Sequence, residues 1–169
     1  MQVKNILLAV ALAVPAATGF AASNTLSHQD KEWLKAAHQA NLTEIKAGQA
    51  AQQQATTQVV RQAGQMLVSD HKQLDSALTR AAHDLDVSLP NSPSPTQQHL
   101  LQKVKSKSGD KFDKLWTRTM ASAHLKAINK TQTEISQGSS SKVKKLAKKA
   151  LPVLQTHLNM VQHAQNRVK

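Results

Sequence analysis

The chain has 169 residues, 22 Lys plus Arg against 10 Asp plus Glu, a formal net charge of +12, and no Cys. That length suits one domain, and the missing Cys excludes a disulfide scaffold, thiolate metal sites and a Cys nucleophile. Aromatic residues make up only 2% of the chain, too few for a sandwich or barrel of short strands, whereas the abundant Ala and Gln favour helix.

Residues 1–21 read as a cleaved secretory signal peptide. Lys4 supplies the positive start, residues 6–14 are continuously apolar, and Gly19 and Ala21 stand at the small-residue cleavage positions. The apolar run is shorter than the roughly 20 residues of a membrane anchor. The mature chain, 22–169, is therefore expected to be a single exported domain without a transmembrane segment, in the periplasm or associated with the outer membrane. An exported chain this poor in aromatics is not expected to bind nucleic acid, despite its charge. That charge is lopsided. Residues 22–102 carry six basic and seven acidic side chains, while 103–169 carry fifteen basic and three acidic ones.

Four long amphipathic helices are expected, with apolar residues in steps of three and four. The first spans about 27–55. Ser27 caps it, with Asp30 completing an acidic capping box, and its stripe is Trp33, Ala37, Ala40, Gly48, Ala51 and Ala55. The second spans about 57–87, with Val60, Gly64, Leu67, Leu74, Leu78, Ala81 and Leu85. Gly48 and Gly64 lie at similar distances from the intervening turn, which predicts a close approach there. Pro90, Pro93 and Pro95 then exclude a continuous helix. A crossover over 88–109 follows, with a short helix at about 96–107.

The third long helix spans about 110–137, capped by Asp110 and stopped at Gly138. Its stripe includes Trp116, Met120, Ala127, Thr131 and Ile135. The fourth spans about 139–167 and presents Val143, Ala147, Ala150, Leu154, Val161 and Ala164, with a kink predicted at Pro152. Tight turns make the first and second helices antiparallel, and likewise the third and fourth. The crossover is long enough to travel the bundle's length. The expected fold is all-α, an antiparallel four-helix bundle with one long Pro-rich crossover between helices 2 and 3, the ferritin-like arrangement.

One polar residue interrupts each stripe: Glu44, His71, His124 and His157. Counted from the turns, they fall at comparable heights. A buried lone carboxylate is expensive and an unpaired imidazole is costly, so the four either satisfy one another or bind a cation. Three imidazoles and one carboxylate suit zinc, copper, iron, nickel or manganese, and bundle cores build metal sites in this way. Met120 and Met160 lie near enough in sequence to offer soft thioethers. Asp75, one turn after His71, is a candidate for orienting that imidazole. Asp70 reads as a surface charge or a crossover anchor. Glu134 reaches the core edge, more than two turns from His124. His28, His38, His83, His99 and His163 lie off the stripes and read as surface residues.

The segment from Lys142 to Lys149 is amphipathic. Lys142, Lys144, Lys145, Lys148 and Lys149 face away from the apolar stripe. They form a solvated face or one drawn to anionic lipid or acidic polysaccharide of the envelope.

Several motifs occur together in order: Asn41-Leu42-Thr43-Glu44-Ile45, Met66-Leu67-Val68-Ser69-Asp70-His71, Phe112-Asp113 with Met120 and His124, and Leu151-Pro152 with His157. Over about residues 25–165 the chain resembles the exported bacterial family called domain of unknown function 4142. The resemblance implies a ferritin-like bundle and an envelope location, and no established activity. It departs from di-iron ferritin-like proteins, which use Glu-x-x-His on two helices. Here Val68 and Leu154 stand three residues before His71 and His157, and His124 stands where a Glu is expected. One carboxylate is too few to bridge two irons.

Two functions are thus expected ahead of catalysis. One is an exported binding protein with one transition-metal ion at Glu44, His71, His124 and His157. The alternative is a non-catalytic structural or stress-related envelope module whose inner Glu and His residues form a hydrogen-bonded network. A redox enzyme would need an open coordination position and a substrate channel, which the sequence does not display.

Overall fold

The computed structural model describes residues 26–168, and the expected signal peptide at 1–21 lies outside them. The described residues form five helices and no strand: α1 (His28–Gln54), α2 (Gln58–Asp84), α3 (Pro95–Lys105), α4 (Gly109–Gln137) and α5 (Ser141–Arg167). Helices α1, α2, α4 and α5 are 27–29 residues long and form a helical bundle, while α3 has 11 residues and lies in the crossover against α1 and α4. None of the described helices is long and apolar enough to cross a membrane.

Helices α1 and α2 form one tight hairpin, α4 and α5 the other. Buried aspartates lock the two hairpins together. Asp113, in the first turns of α4, accepts hydrogen bonds from Thr56 N at 3.1 Å and Thr57 N at 2.8 Å. It thereby anchors the backbone just ahead of α2, whose N-cap Thr57 makes no side-chain cap bond of its own. Asp30, in the first turn of α1, completes the expected capping box with Ser27 and also accepts from Ser139 N and Ser140 N, each at 3.1 Å. Each turn is thus held by the opposite hairpin. This places the end of α1 beside the start of α4, and the start of α1 beside the turn that ends α4, so the two run antiparallel. The Lys142–Asp84 ion pair does the same for α2 and α5. The crossover must then carry the chain along the whole bundle, as its length predicted.

The two halves share a short repeat, Asp30-Lys31-Glu32-Trp33 and Asp113-Lys114-Leu115-Trp116. The repeat extends to function within the fold: Trp33 Nε1 donates to Thr131 Oγ1 on α4 at 3.3 Å, and Trp116 Nε1 donates to the Ala47 carbonyl on α1 at 2.8 Å. Each tryptophan fills one end of the core and satisfies its polar edge across the hairpin seam.

Several local expectations change. Asp110 does not cap α4: Ser108 is the cap residue, and Gly109 opens the helix at φ +60°, where a glycine is favoured. Gly138 ends α4 with φ −60°, so no left-handed residue is needed there. Its glycine serves space instead, because a Cβ would stand 2.1 Å from Glu134 Oε1. Pro152 lies inside α5, where the kink is expected, and does not end the helix. The Gly48–Gly64 approach is as expected, with a Cβ on Gly48 falling 2.5 Å from the Gly64 carbonyl oxygen.

Glu134 is fully buried beside Asp30 at the α4–α5 turn and accepts a hydrogen bond from Gln29 Nε2 at 3.3 Å. Burial, followed by the neighbouring Asp30 carboxylate, pushes its carboxyl up to about 7. Asp30 itself is desolvated by burial, but hydrogen bonds from Ser27 bring it below its ordinary value. Holding a proton on Glu134 therefore stabilises the fold at low pH, and that contribution is lost as pH rises through about 7.

Two outcomes follow from this packing. Gly64→Ala places a Cβ 2.6 Å from Ala51 Cβ and 2.7 Å from the Gly48 carbonyl oxygen. It should cost about 2 kcal/mol, read as a fall of roughly 4–8 °C in Tm. Glu134→Gln keeps a neutral, hydrogen-bonding side chain. In denaturant titrations it should gain on the wild type by about 2 kcal/mol between pH 5 and pH 8, after allowance for screening. A constant difference between the two proteins across that range would show that Glu134 does not carry the proton.

Candidate metal centre

The core is divided into two apolar clusters. One contains Ala47, Leu67, Phe112, Trp116 and Val161, and the other contains Trp33, Leu34, Leu78, Val143 and Ala147. Glu44, His71, His124 and His157 lie between them in sequence on all four long helices, and each is at most 2% exposed. The three imidazole rings pack with centroids 5.1–5.8 Å apart. Each histidine offers one nitrogen to a common point, all within 4.8 Å of one another, a group able to hold a metal ion. Glu44 Oε2 stands 2.7 Å from His71 Nε2 and 3.0 Å from His124 Nε2.

The outer nitrogen of each ring is tied to an acceptor. His124 Nδ1 donates to the Met120 carbonyl at 2.9 Å. His157 Nε2 donates to Asp70 Oδ2 at 2.9 Å. His71 Nδ1 donates to Asn41 Oδ1 at 2.9 Å. The Asn41 amide orientation is set in turn, because its Nδ2 donates to Asp75 Oδ1 at 3.2 Å. Asp75 Oδ1 also accepts from His38 Nδ1 at 2.7 Å. These bonds place the ring proton of each neutral imidazole on the outside. The inner atoms, His71 Nε2, His124 Nε2, His157 Nδ1 and Glu44 Oε2, are buried with no aligned hydrogen-bond partner. Four acceptors facing one another at such distances repel unless a cation, metal or proton, stands among them.

Charge follows the same geometry. Burial raises the Glu44 carboxyl, but His124 and then His71 outweigh it and hold the group well below the ordinary carboxylate range. Burial lowers the His124 imidazole, yet attraction to Glu44 leaves it raised. Burial dominates at His157 and leaves it lowered, despite the Asp70 hydrogen bond.

The structure brings together the four residues that interrupt the stripes and corrects their surroundings. Asp75 does not reach His71 directly; it acts through Asn41, one turn before Glu44. Asp70 is neither a simple surface charge nor a crossover anchor, since it orients His157 from a 36% exposed position. His38 is not a surface residue, its side chain being 12% exposed and bound to Asp75. Met120 places its side chain in the first apolar cluster and serves His124 through its carbonyl, and Met160 is half-buried against the same cluster. His28, His83, His99 and His163 are exposed, as expected. Lys142, Lys145, Lys148 and Lys149 are exposed and Lys144 is half-buried.

Asn41 was within reach of sequence reasoning, because a position three residues before Glu44 shares its helix face. The Asp70–His157 pair was not, because it depends on which flank of α2 faces α5.

A cavity of about 980 Å³ runs between the two hairpins and reaches Glu44 and His71. Its presence explains why Ala37, Ala40 and Leu74, expected in the core, are only half-buried.

No curated protein and no solved structure matches the chain. The family described as Domain of unknown function (DUF4142) matches residues 15–164, and the chain belongs to it.

Proposed function

We propose that this protein is an exported, ferritin-like bundle that binds one divalent first-row transition-metal ion through Glu44, His71, His124 and His157. The observation that carries the reading is the set of buried, inward-facing acceptors without aligned partners. Three neutral imidazoles and one carboxylate form a borderline donor set suited to zinc, iron, manganese, nickel or copper(II). Ligands about 2.1 Å from a tetrahedral ion stand roughly 3.4 Å apart, so side-chain shifts of about an ångström would close the site on the ion. The outer hydrogen bonds to Asn41, Met120 and Asp70 hold the rings for this task.

With one ligand carboxylate, the site supports buffering, sequestration or delivery of a single ion rather than di-iron chemistry. The exposed lysines of α5 would hold the protein near anionic lipid or polysaccharide of the envelope. A second reading rests on the Glu44 and His124 shifts. In it, protons take the metal's place and the cluster is a structural network in a non-catalytic envelope module.

Elemental analysis of untagged mature protein from the periplasm separates the two. Metal binding predicts about one equivalent of a single transition metal, lost in His157→Ala and His71→Ala while helical content survives. Protein that is metal-free, folds in chelator and takes up no ion on titration would leave the proton network as the function of these residues. A finer outcome concerns the outer bonds. Asn41→Ala should weaken metal affinity by about 10–100-fold without removing a ligand. Uptake by the wild type should release protons and weaken as pH falls, because all three imidazoles must be neutral and attraction to Glu44 favours the charged form of His124. Competition titrations at stepped pH measure both effects.

A further inference from the structure

The cavity between the hairpins has a composition of its own. Its inner wall is made of apolar side chains, among them Trp33, Leu74, Leu78 and Leu154, and of alanines such as Ala40 and Ala127 where bundle helices would take larger residues. It opens to solvent at its rim, so its apolar wall is wetted unless a ligand covers it. At about 980 Å³ it is at the upper end of the range for small-molecule sites.

Its rim is cationic. Arg118, Lys126 and Lys130 line it from α4 at four- and eight-residue intervals, so they form one stripe along that helix. Lys149 lines it from α5. All four are exposed, and none forms an ion pair among the described residues. Asp70 and Glu44 are the acidic residues lining the cavity, and both are engaged with histidines.

We infer that the cavity binds an amphipathic organic anion, a single-chain carboxylate or a compound like it. The apolar body lies between the hairpins and the anionic head meets the basic stripe of α4. The inference is independent of the metal reading, since the wall and rim bind without an ion.

The test is titration of the mature protein with dansylundecanoate, followed by energy transfer from Trp33, which lines the cavity. It is run in chelator and again after metal addition. Expected is saturable binding in the micromolar range in chelator. It should be displaced by laurate far better than by dodecyltrimethylammonium, weakened at least tenfold in the Lys126→Glu/Lys130→Glu double variant, and weakened in Ala127→Leu, which fills the cavity. The double variant changes only exposed side chains, so its result stands if Ala127→Leu fails to fold. Equal competition by anion and cation, an unaffected double variant, or no saturable binding would overturn the proposal. Displacement by laurate below its micellar concentration assigns a free amphiphile. Displacement by phosphatidylglycerol vesicles alone would assign the basic rim to lipid headgroups and overturn the cavity site.

Discussion

The bundle is organised around one carboxylate. Glu44 is buried between two imidazoles in the middle of an otherwise apolar core, and its desolvation must be met within a few ångströms. The geometry meets it with His71 and His124, which touch it, and with His157, which packs on both. Because each long helix contributes one member, none can slide or rotate by a residue without leaving a buried polar group alone. The polar layer therefore sets helix register in a way that interchangeable Leu and Ala contacts do not.

Around this layer the polar groups become progressively more exposed. Asn41 and the Met120 carbonyl are buried, Asp75 is partly buried, and Asp70 reaches solvent. Asn41, the Met120 carbonyl and Asp70 each accept from one ring, and Asp75 sets the orientation of the Asn41 amide. The result is directional: in each neutral imidazole the proton lies outside and the lone pair inside. Lone pairs that face one another in this way need a cation among them, whether metal or proton.

The hairpin seam accounts for the remaining features. Within each hairpin the helices approach closely, helped in the first by Gly48 and Gly64. Between hairpins the contact depends on a few long-range polar anchors at the ends, Asp30, Asp113 and the two tryptophans. Tight ends and an alanine-lined middle leave the cavity, which runs from the solvent-facing basic stripe of α4 to the polar layer. The chain's positive second half thus has a local expression. Some of its charge pairs or is solvated along α5, and some rims this opening.

Local sequence determined the helices, because the three- and four-residue periodicity, the Ser27 capping box and the three-proline break each depend on neighbours within a turn or two. It also determined that four polar residues share the core, because an interruption in an apolar stripe is visible on one helix at a time. The short Asp-Lys-x-Trp repeat was present in it as well, but its meaning lay in hydrogen bonds between residues about seventy to one hundred positions apart. Pairing between helices came from their packing alone. Rotation of α5 against α2 joins Asp70 to His157, approach of α1 to α2 inserts Asn41 between Asp75 and His71, and burial beside Asp30 pushes the Glu134 carboxyl up. These depend on interaxial rotation and spacing, which periodicity leaves undetermined because every residue on a helix face satisfies the same pattern. The cavity belongs to this class too, since alanines on a stripe signal close packing and open space equally until the facing helix is in place.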